Sequence, residues 1–238
     1  MRPCAKVVAA VLVLVCVEHA IRAGVCCWFT KDLPPPEVVR RWSESEMDGR
    51  LFKLSRWDQF NQSQFEQCVA RQIRPLNISS NERFVFLEVG AGIGAFSRRV
   101  LQMHPRAMGH ASDSEQQAID MASVVLHRMT VSVENMLRLS HPDSSFDYVF
   151  APACLCYLHT NAAVRTAVSE FKRVLKPGGG MCASMLPAES SRMGSCSMRV
   201  PAEVFMHIPG LKVVGLENMD DWGIPHSMGR YSVCLRKV

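Results

Sequence analysis

The spacing of apolar positions along this chain changes character several times. From Glu37 to Arg74, Val38, Val39 and Trp42, then Trp57, Phe60, Phe65, Cys68, Val69 and Ile73, recur at helical spacing. Beyond Arg74, short apolar runs alternate with amphipathic stretches. Phe84–Glu88 predicts a strand, Phe96–Met103 a helix, Arg106–Ser112 a weak strand and Gln116–Leu126 a helix. Met129–Val133 and Phe146–Ala151 predict two more strands. Ala162–Leu175 predicts an amphipathic helix closed by Lys176-Pro177-Gly178, a C-terminal stop. Met181–Leu186, Leu211–Glu217 and Tyr231–Val238 are the closing strands. Such alternation implies a doubly wound α/β domain: a mostly parallel sheet with helices on both faces. No helix separates the last two strands, so they are expected to pair as an antiparallel hairpin at one edge.

The first residues follow a different pattern. Arg2 and Lys6 precede an unbroken apolar run from Val7 to Val17, then Glu18, His19 and the small residues Ala20, Ala23 and Gly24. This reads as a targeting segment over residues 1–23, with cleavage after Ala23. The run is about half the length of a spanning helix, which favours a secretory signal over a membrane anchor. A mitochondrial presequence is the alternative, weakened by Glu18 and by the scarcity of Ser. Pro34-Pro35-Pro36 is a stiff linker able to start a helix at Glu37. The expected organisation is therefore a targeting segment (1–23), a linker with N-terminal helices (24–80) and a catalytic-type domain (81–238).

With 238 residues, 48% hydrophobic and 21% charged, the chain has the composition of a globular protein with one sizeable core. A net charge of +5, without a Lys/Arg stripe or a run of like charges, gives no basis for a nucleic-acid partner. The ten cysteines form no recognisable disulfide framework. Cys154, Cys156, Cys182 and Cys234 fall in apolar strands or at their edges, where cysteine acts as a small hydrophobe. No CxxC pair or Cys/His cluster has zinc-like spacing, so no structural metal is predicted. Asn61-Gln-Ser63 and Asn77-Ile-Ser79 are glycosylation sequons, relevant only in a secretory chain.

The densest chemical signal is Phe84-Val-Phe-Leu-Glu88-Val-Gly90-Ala-Gly92-Ile-Gly94. A buried strand runs into three alternating glycines and then a helix, which lets the backbone approach a ligand and presents free amides to it. Gly90-x-Gly92-x-x-Ala95 also satisfies a dinucleotide-binding fingerprint, so the loop alone leaves a nicotinamide-dependent oxidoreductase open. Glu88 stands two residues before the first glycine. Asp113 follows Gly94 by nineteen residues, at a strand end where a carboxylate can bind ribose hydroxyls. Ser144-Ser-Phe146-Asp147-Tyr-Val149 and Glu170-Phe-Lys-Arg173-Val-Leu-Lys176-Pro-Gly-Gly179 come next. Phe146 and Val149 read as core, Asp147 as a structural carboxylate, and Lys176-Pro-Gly-Gly as a turn that positions the fifth strand.

Taken together, Glu-x-Gly-x-Gly-x-Gly, Asp113, Ser-Phe-Asp-Tyr-Val and Arg-Val-Leu-Lys-Pro-Gly-Gly resemble the class I S-adenosylmethionine-dependent methyltransferases of the "type 11" kind. The resemblance covers about Phe84 to Leu186. It implies a seven-stranded Rossmann-like sheet with a reversed last strand, behind an N-terminal helical extension. It also implies S-adenosyl-L-methionine as cofactor. Gly90, Ala91, Gly92 and Gly94 would then cradle its methionine part, with Glu88 ordering the loop and meeting the ligand's amino group. Asp113 would take the ribose hydroxyls with Ser114 beside it, and Ser132-Val133-Glu134 would border the adenine. Family members often carry an acidic residue where this chain has Ser132, and Glu134 is the available substitute. Ala151 would lie beneath the methyl-bearing sulfur.

Methyl transfer from a sulfonium needs alignment and exclusion of water, and a general base only when the acceptor must lose a proton. Tyr157 and His159, just beyond the fourth strand, are the candidates for that base. Ala151-Pro-Ala-Cys154 stands where base-methylating enzymes carry Asn/Asp-Pro-Pro-aromatic, which disfavours a nucleic-acid acceptor. Trp57 and Phe60, the stretch Pro187–Val200 and Asp220-Asp-Trp222-Gly-Ile-Pro-His226 are the segments available to line an acceptor pocket. Their aromatics favour a small apolar or lipid-like molecule. A catalytically silent member that keeps the fold for binding is the competing reading.

Overall fold

A computed structural model describes residues 33–54, 62–185, 200–219 and 231–238. The leader, Trp57, Phe60, Asn61, the stretch from Pro187 to Arg199 and the loop Asp220–His226 lie outside the described residues. The chain divides into two units, Met1–Pro34 and Pro35–Val238, and the account below concerns the second.

That unit begins with helices α1 (Pro36–Val39), α2 (Glu44–Leu54) and α3 (Gln62–Ile73), followed by a 3-10 turn at Arg74–Leu76. Pro36 occupies the first turn of α1, where its missing N–H costs nothing. The chain then alternates through β1 (Val85–Val89), α4 (Ala95–Met103), β2 (Met108–Asp113), α5 (Gln116–Val125), β3 (Thr130–Val133) and β4 (Phe146–Pro152). It closes with α6 (Asn161–Val174), β5 (Leu175–Met185), α7 (Glu203–Met206), β6 (Leu211–Asn218) and β7 (Tyr231–Lys237). The seven strands form one sheet in the order β3-β2-β1-β4-β5-β7-β6. The first five are parallel, while β7 runs antiparallel between β5 and β6. The predicted terminal hairpin is present, with β6 at the edge and β7 inserted beside β5.

The sheet buries both faces because its central strands are apolar at every position. Leu87, Val89, Val149 and Ala151 face α6 and α7, packing on Val164, Ala167, Val168, Phe171 and Phe205. Phe86, Tyr148 and Phe150 face the other way, onto Phe65, Val69, Ile73, Phe96 and Val100 of α3 and α4. Asp147 is structural, as the sequence indicates: it accepts the Val85 N–H at 2.8 Å and pairs with Lys176 Nζ at 2.8 Å.

Two features differ from the sequence reading. Pairing of β5 begins at Leu175, with Lys176–Gly179 as an excursion inside it. Leu175 pairs with Phe146, and Gly180 with Tyr148. Gly178 sits at φ +75°, and a Cβ at Gly179 would lie 2.7 Å from the Asp147 carbonyl oxygen, so these glycines make the excursion possible. The second difference concerns two cysteines read as small hydrophobes. Cys182 and Cys234 face each other across β5 and β7 and are joined in a disulfide.

Candidate cofactor-binding site

The candidate site lies at the carboxyl ends of β1, β2 and β4, where the winding of the sheet reverses between β1 and β4 and a crevice is left for a ligand. β1 ends at Val89 and the chain turns through Gly90–Gly94 into α4. Gly90 sits at φ +68° and Gly94 at φ +85°, a region that side chains rarely enter. Space closes the same positions. An added Cβ would lie 2.4 Å from Cys154 Cβ at Gly90 and 2.6 Å from Leu126 Cδ1 at Gly94.

Gly94 is the N-cap residue of α4 and has no side chain to cap it. Glu88 does so from the strand tip. Its Oε2 accepts the N–H of Ser97, the third residue of the helix, at 2.9 Å, and the Ser97 hydroxyl donates to the same oxygen. Both residues are buried, with Glu88 1% exposed. Burial pushes the Glu88 carboxyl up to about 8, against the lowering effect of the Ser97 bonds, and the nearby Asp113 charge adds to the rise.

Asp113 forms the opposite wall. At the tip of β2, its Oδ2 accepts the Gly92 N–H at 2.8 Å and its Oδ1 the Glu115 N–H at 3.1 Å. The Ala91 N–H donates to the Ser112 carbonyl at 2.9 Å, so the glycine loop is tied to β2 twice. Burial raises the Asp113 carboxyl above its ordinary value, and the bonds from Gly92 and Glu115 oppose the rise. A carboxylate has about four acceptor positions, so two N–H bonds leave room for a pair of ligand hydroxyls. The residues present therefore fit an adenosyl ligand: an acidic acceptor beside a glycine turn at the reversal point of the sheet.

The other predicted residues fall around this centre. Ala91 is buried and Ser114 is exposed beside Asp113. Val133 pairs with Asp113 across β2 and β3, so both side chains stand on one side of the sheet, and Val133 is 45% exposed. Ser132 and Glu134 are drawn together elsewhere. Ser132 pairs with Ser112, one residue out of step with Asp113, so it faces the opposite side. Glu134 follows it: its carboxylate takes the Ser132 hydroxyl at 2.7 Å and the Ser140 hydroxyl at 2.9 Å. Ala151 is fully buried in β4 and pairs with Ala183. Tyr157 ends a 3-10 turn (Leu155–Tyr157) and is half-buried, while His159 is exposed two residues on.

Sequence reasoning missed two residues here. Ser97 is the partner that makes Glu88 a helix cap, and its place at the third helical position was the available signal. Cys154 packs against Gly90 and lies close enough to Asp113 and Glu88 to feel both charges. Burial, reinforced by those carboxylates, holds its thiol well above the usual range, so it stays protonated and inert.

Residues 86–179 match the family model described as a methyltransferase domain. Searching curated protein sequences gives no significant match. Among solved structures, the N-methyltransferase NodS from Bradyrhizobium japonicum WM9, in complex with S-adenosyl-L-homocysteine, superposes with a TM-score of 0.61 at 18% identity. That match covers 85% of this chain and 96% of NodS. A protein described as a sarcosine dimethylglycine methyltransferase from Galdieria sulphuraria gives a TM-score of 0.59 at 14% identity, over 74% of this chain and 86% of its own. The [4+2]-cyclase SpnF gives 0.54 at 15% identity, over 72% and 80% respectively. At these identities the likeness is one of fold, and a cyclase among the neighbours shows that the fold alone does not name the reaction. Strand order, the glycine loop between two acidic strand tips and the matched family model together place this chain in the class I S-adenosylmethionine-dependent methyltransferase family.

Proposed function

We propose that this protein transfers a methyl group from S-adenosylmethionine to a small, apolar acceptor. The observation that carries the reading is the Asp113 carboxylate bound to the Gly92 amide, which holds an acidic acceptor and the glycine turn at one locus. Bound there, S-adenosylmethionine supplies an electrophilic methyl group for in-line displacement by the acceptor.

The chain's own part is alignment and exclusion of water, which in such reactions is worth several kcal/mol of barrier. Asp113 accepts the ribose hydroxyls on the lone pairs that Gly92 and Glu115 leave free. Gly90–Gly94 and the N-terminus of α4, fixed by Glu88, receive the methionine part. Val133, apolar and exposed beside Asp113, offers a flat contact to the adenine. Glu134 is engaged on the opposite side, so recognition of the adenine's amine falls to backbone rather than to this carboxylate. Tyr157 and His159 stand beyond β4 as the groups able to take a proton from an acceptor that must lose one.

The acceptor reading is tested by incubating the purified chain with labelled S-adenosylmethionine and fractionated cell extract. Label in organic-soluble small molecules, lost with Asp113→Ala, is the expected result. Label in nucleic acid or protein contradicts the acceptor class, and cofactor binding without transfer to any fraction supports the silent-member reading. His159→Ala is expected to lower kcat and leave cofactor affinity unchanged. An unaltered kcat removes His159 from the mechanism.

A further inference from the structure

Three side chains far apart in sequence meet on the side of the sheet away from Asp113. His110 comes from β2, Glu134 from the residue after β3, and His141 from the loop leading to β4. One ligand-type atom from each lies within 4.8 Å of the other two. The His141 and His110 Nε2 atoms lie 3.1 and 3.8 Å from Glu134 Oε1, and the imidazole rings meet edge to face at 4.4 Å between centroids. We propose that His110, Glu134 and His141 bind a divalent transition-metal ion of the zinc class.

The spacing fits. Ligands about 2.0–2.1 Å from a tetrahedral ion stand about 3.3 Å from one another, between the two measured separations. A second observation concerns alignment. His141 Nε2 is buried, and among the described residues it has no hydrogen-bond partner despite its closeness to the Glu134 oxygen. The two atoms are near without the ring N–H being aimed at the oxygen, the relation expected of two ligands converging on a third point. Two imidazoles with one carboxylate select zinc and its first-row neighbours over magnesium or calcium. The third contact is the Ser132 hydroxyl, which lies 2.7 Å from His110 Nε2 and donates to Glu134 Oε1. It bridges the ligand atoms where a metal-bound water or the ion would stand, and metal binding requires it to release His110.

The surroundings hold the ligands in place. Ser140 donates its hydroxyl to Glu134 at 2.9 Å and its N–H at 3.3 Å, the outer-shell support that orients a metal-bound carboxylate. Arg173 donates to the main-chain carbonyls of His141 at 2.7 Å and Leu139 at 3.0 Å, while the Leu139 N–H donates to Glu170 at 2.9 Å. The His141 ring packs edge-on against Phe146. Side-chain exposures of 16%, 4% and 14% for His110, Glu134 and His141 leave a sheltered site with an opening for an ion. The linear spacing 110, 134, 141 matches no metal motif, which is why the sequence predicts none. An ion here would pin β2 to the segment beside the adenosine side of the crevice, and its binding is independent of whether the chain transfers methyl groups.

The test uses the full chain, stripped with EDTA and dialysed. Zinc affinity is measured by competition with a chromophoric chelator, cobalt(II) binding by absorption, and melting temperature with and without zinc. The expected result is one zinc per chain and a rise in melting temperature. Cobalt should give visible ligand-field bands without sulfur charge-transfer bands, which excludes cysteine ligation. His110→Ala and His141→Gln, the latter keeping ring-like volume and polarity, should each weaken zinc by about tenfold or more and abolish the melting shift. No saturable zinc binding by the parent chain, thiolate bands with cobalt, or unchanged affinity in either folded variant overturns the proposal.

Discussion

Glu88 and Asp113 are two buried carboxyl groups at adjacent strand tips, each satisfied by main-chain N–H donors, and their protonation couples the site to pH. Glu88 is raised from 4.5 to about 8, mainly by burial. The folded protein therefore keeps a proton that the unfolded chain gives up above about pH 4.5. The stability this group contributes is complete below that value and is lost as pH rises through about 8. Glu88→Gln keeps an acceptor for the Ser97 N–H and removes the titration. Urea midpoints measured from about pH 5 to 9 should fall with pH in the parent and fall less in the variant. Parallel curves would show that Glu88 is ionised throughout. At Gly90 the constraint is steric. Gly90→Ala forces a Cβ onto Cys154 in a left-handed conformation and is expected to cost about 1–3 kcal/mol or more in denaturant unfolding. An unchanged midpoint would mean that the loop relaxes freely. Sequence spacing alone exposed the glycines and both carboxylates, because a strand–turn–helix signature is local. Cys154 and the His110–Glu134–His141 cluster were not legible, since their meaning comes from contacts among residues far apart in the chain.

At the scale of elements, α6 does more than cover the sheet. Its last turn carries Arg173, which bonds the Leu139 and His141 carbonyls, Asp143 at 2.8 Å and Glu170 at 2.8 Å. The Arg-Val-Leu-Lys-Pro-Gly-Gly run thus fixes the segment between β3 and β4 with one residue and shapes the entry to β5 with the next. Arg173→Met keeps the apolar stem and removes the donors. Unfolding free energy should fall by about 1–3 kcal/mol, and hydrogen exchange should accelerate over residues 139–145. Uniform exchange across the domain would contradict a local clamp. Strand and helix positions were readable to within a few residues because each element buries a face with its own period. The early start of β5 was not readable, because the pairing of Leu175 with Phe146 across the glycine excursion has no local pattern. The Cys182–Cys234 bond was hidden for the same reason, as it depends on β7 lying beside β5.

For the whole molecule, the disulfide and the basic-apolar leader favour passage through an oxidising compartment. We propose secretory targeting, tested by fusing residues 1–30 to a reporter carrying a glycosylation sequon. A glycosidase-sensitive mass shift is expected, and mitochondrial import without glycosylation contradicts it. The central claim concerns the crevice at the carboxyl ends of β1, β2 and β4, and calorimetry addresses it most directly. S-adenosylmethionine, S-adenosylhomocysteine and NAD are titrated into the parent chain and into Asp113→Ala. The account predicts saturable binding of the first two, none of NAD, and a loss of about ten- to a hundredfold in the variant as about 1.5–3 kcal/mol of charge-assisted hydrogen bonding disappears. A dissociation constant unchanged by Asp113→Ala, or a preference for NAD, would contradict it.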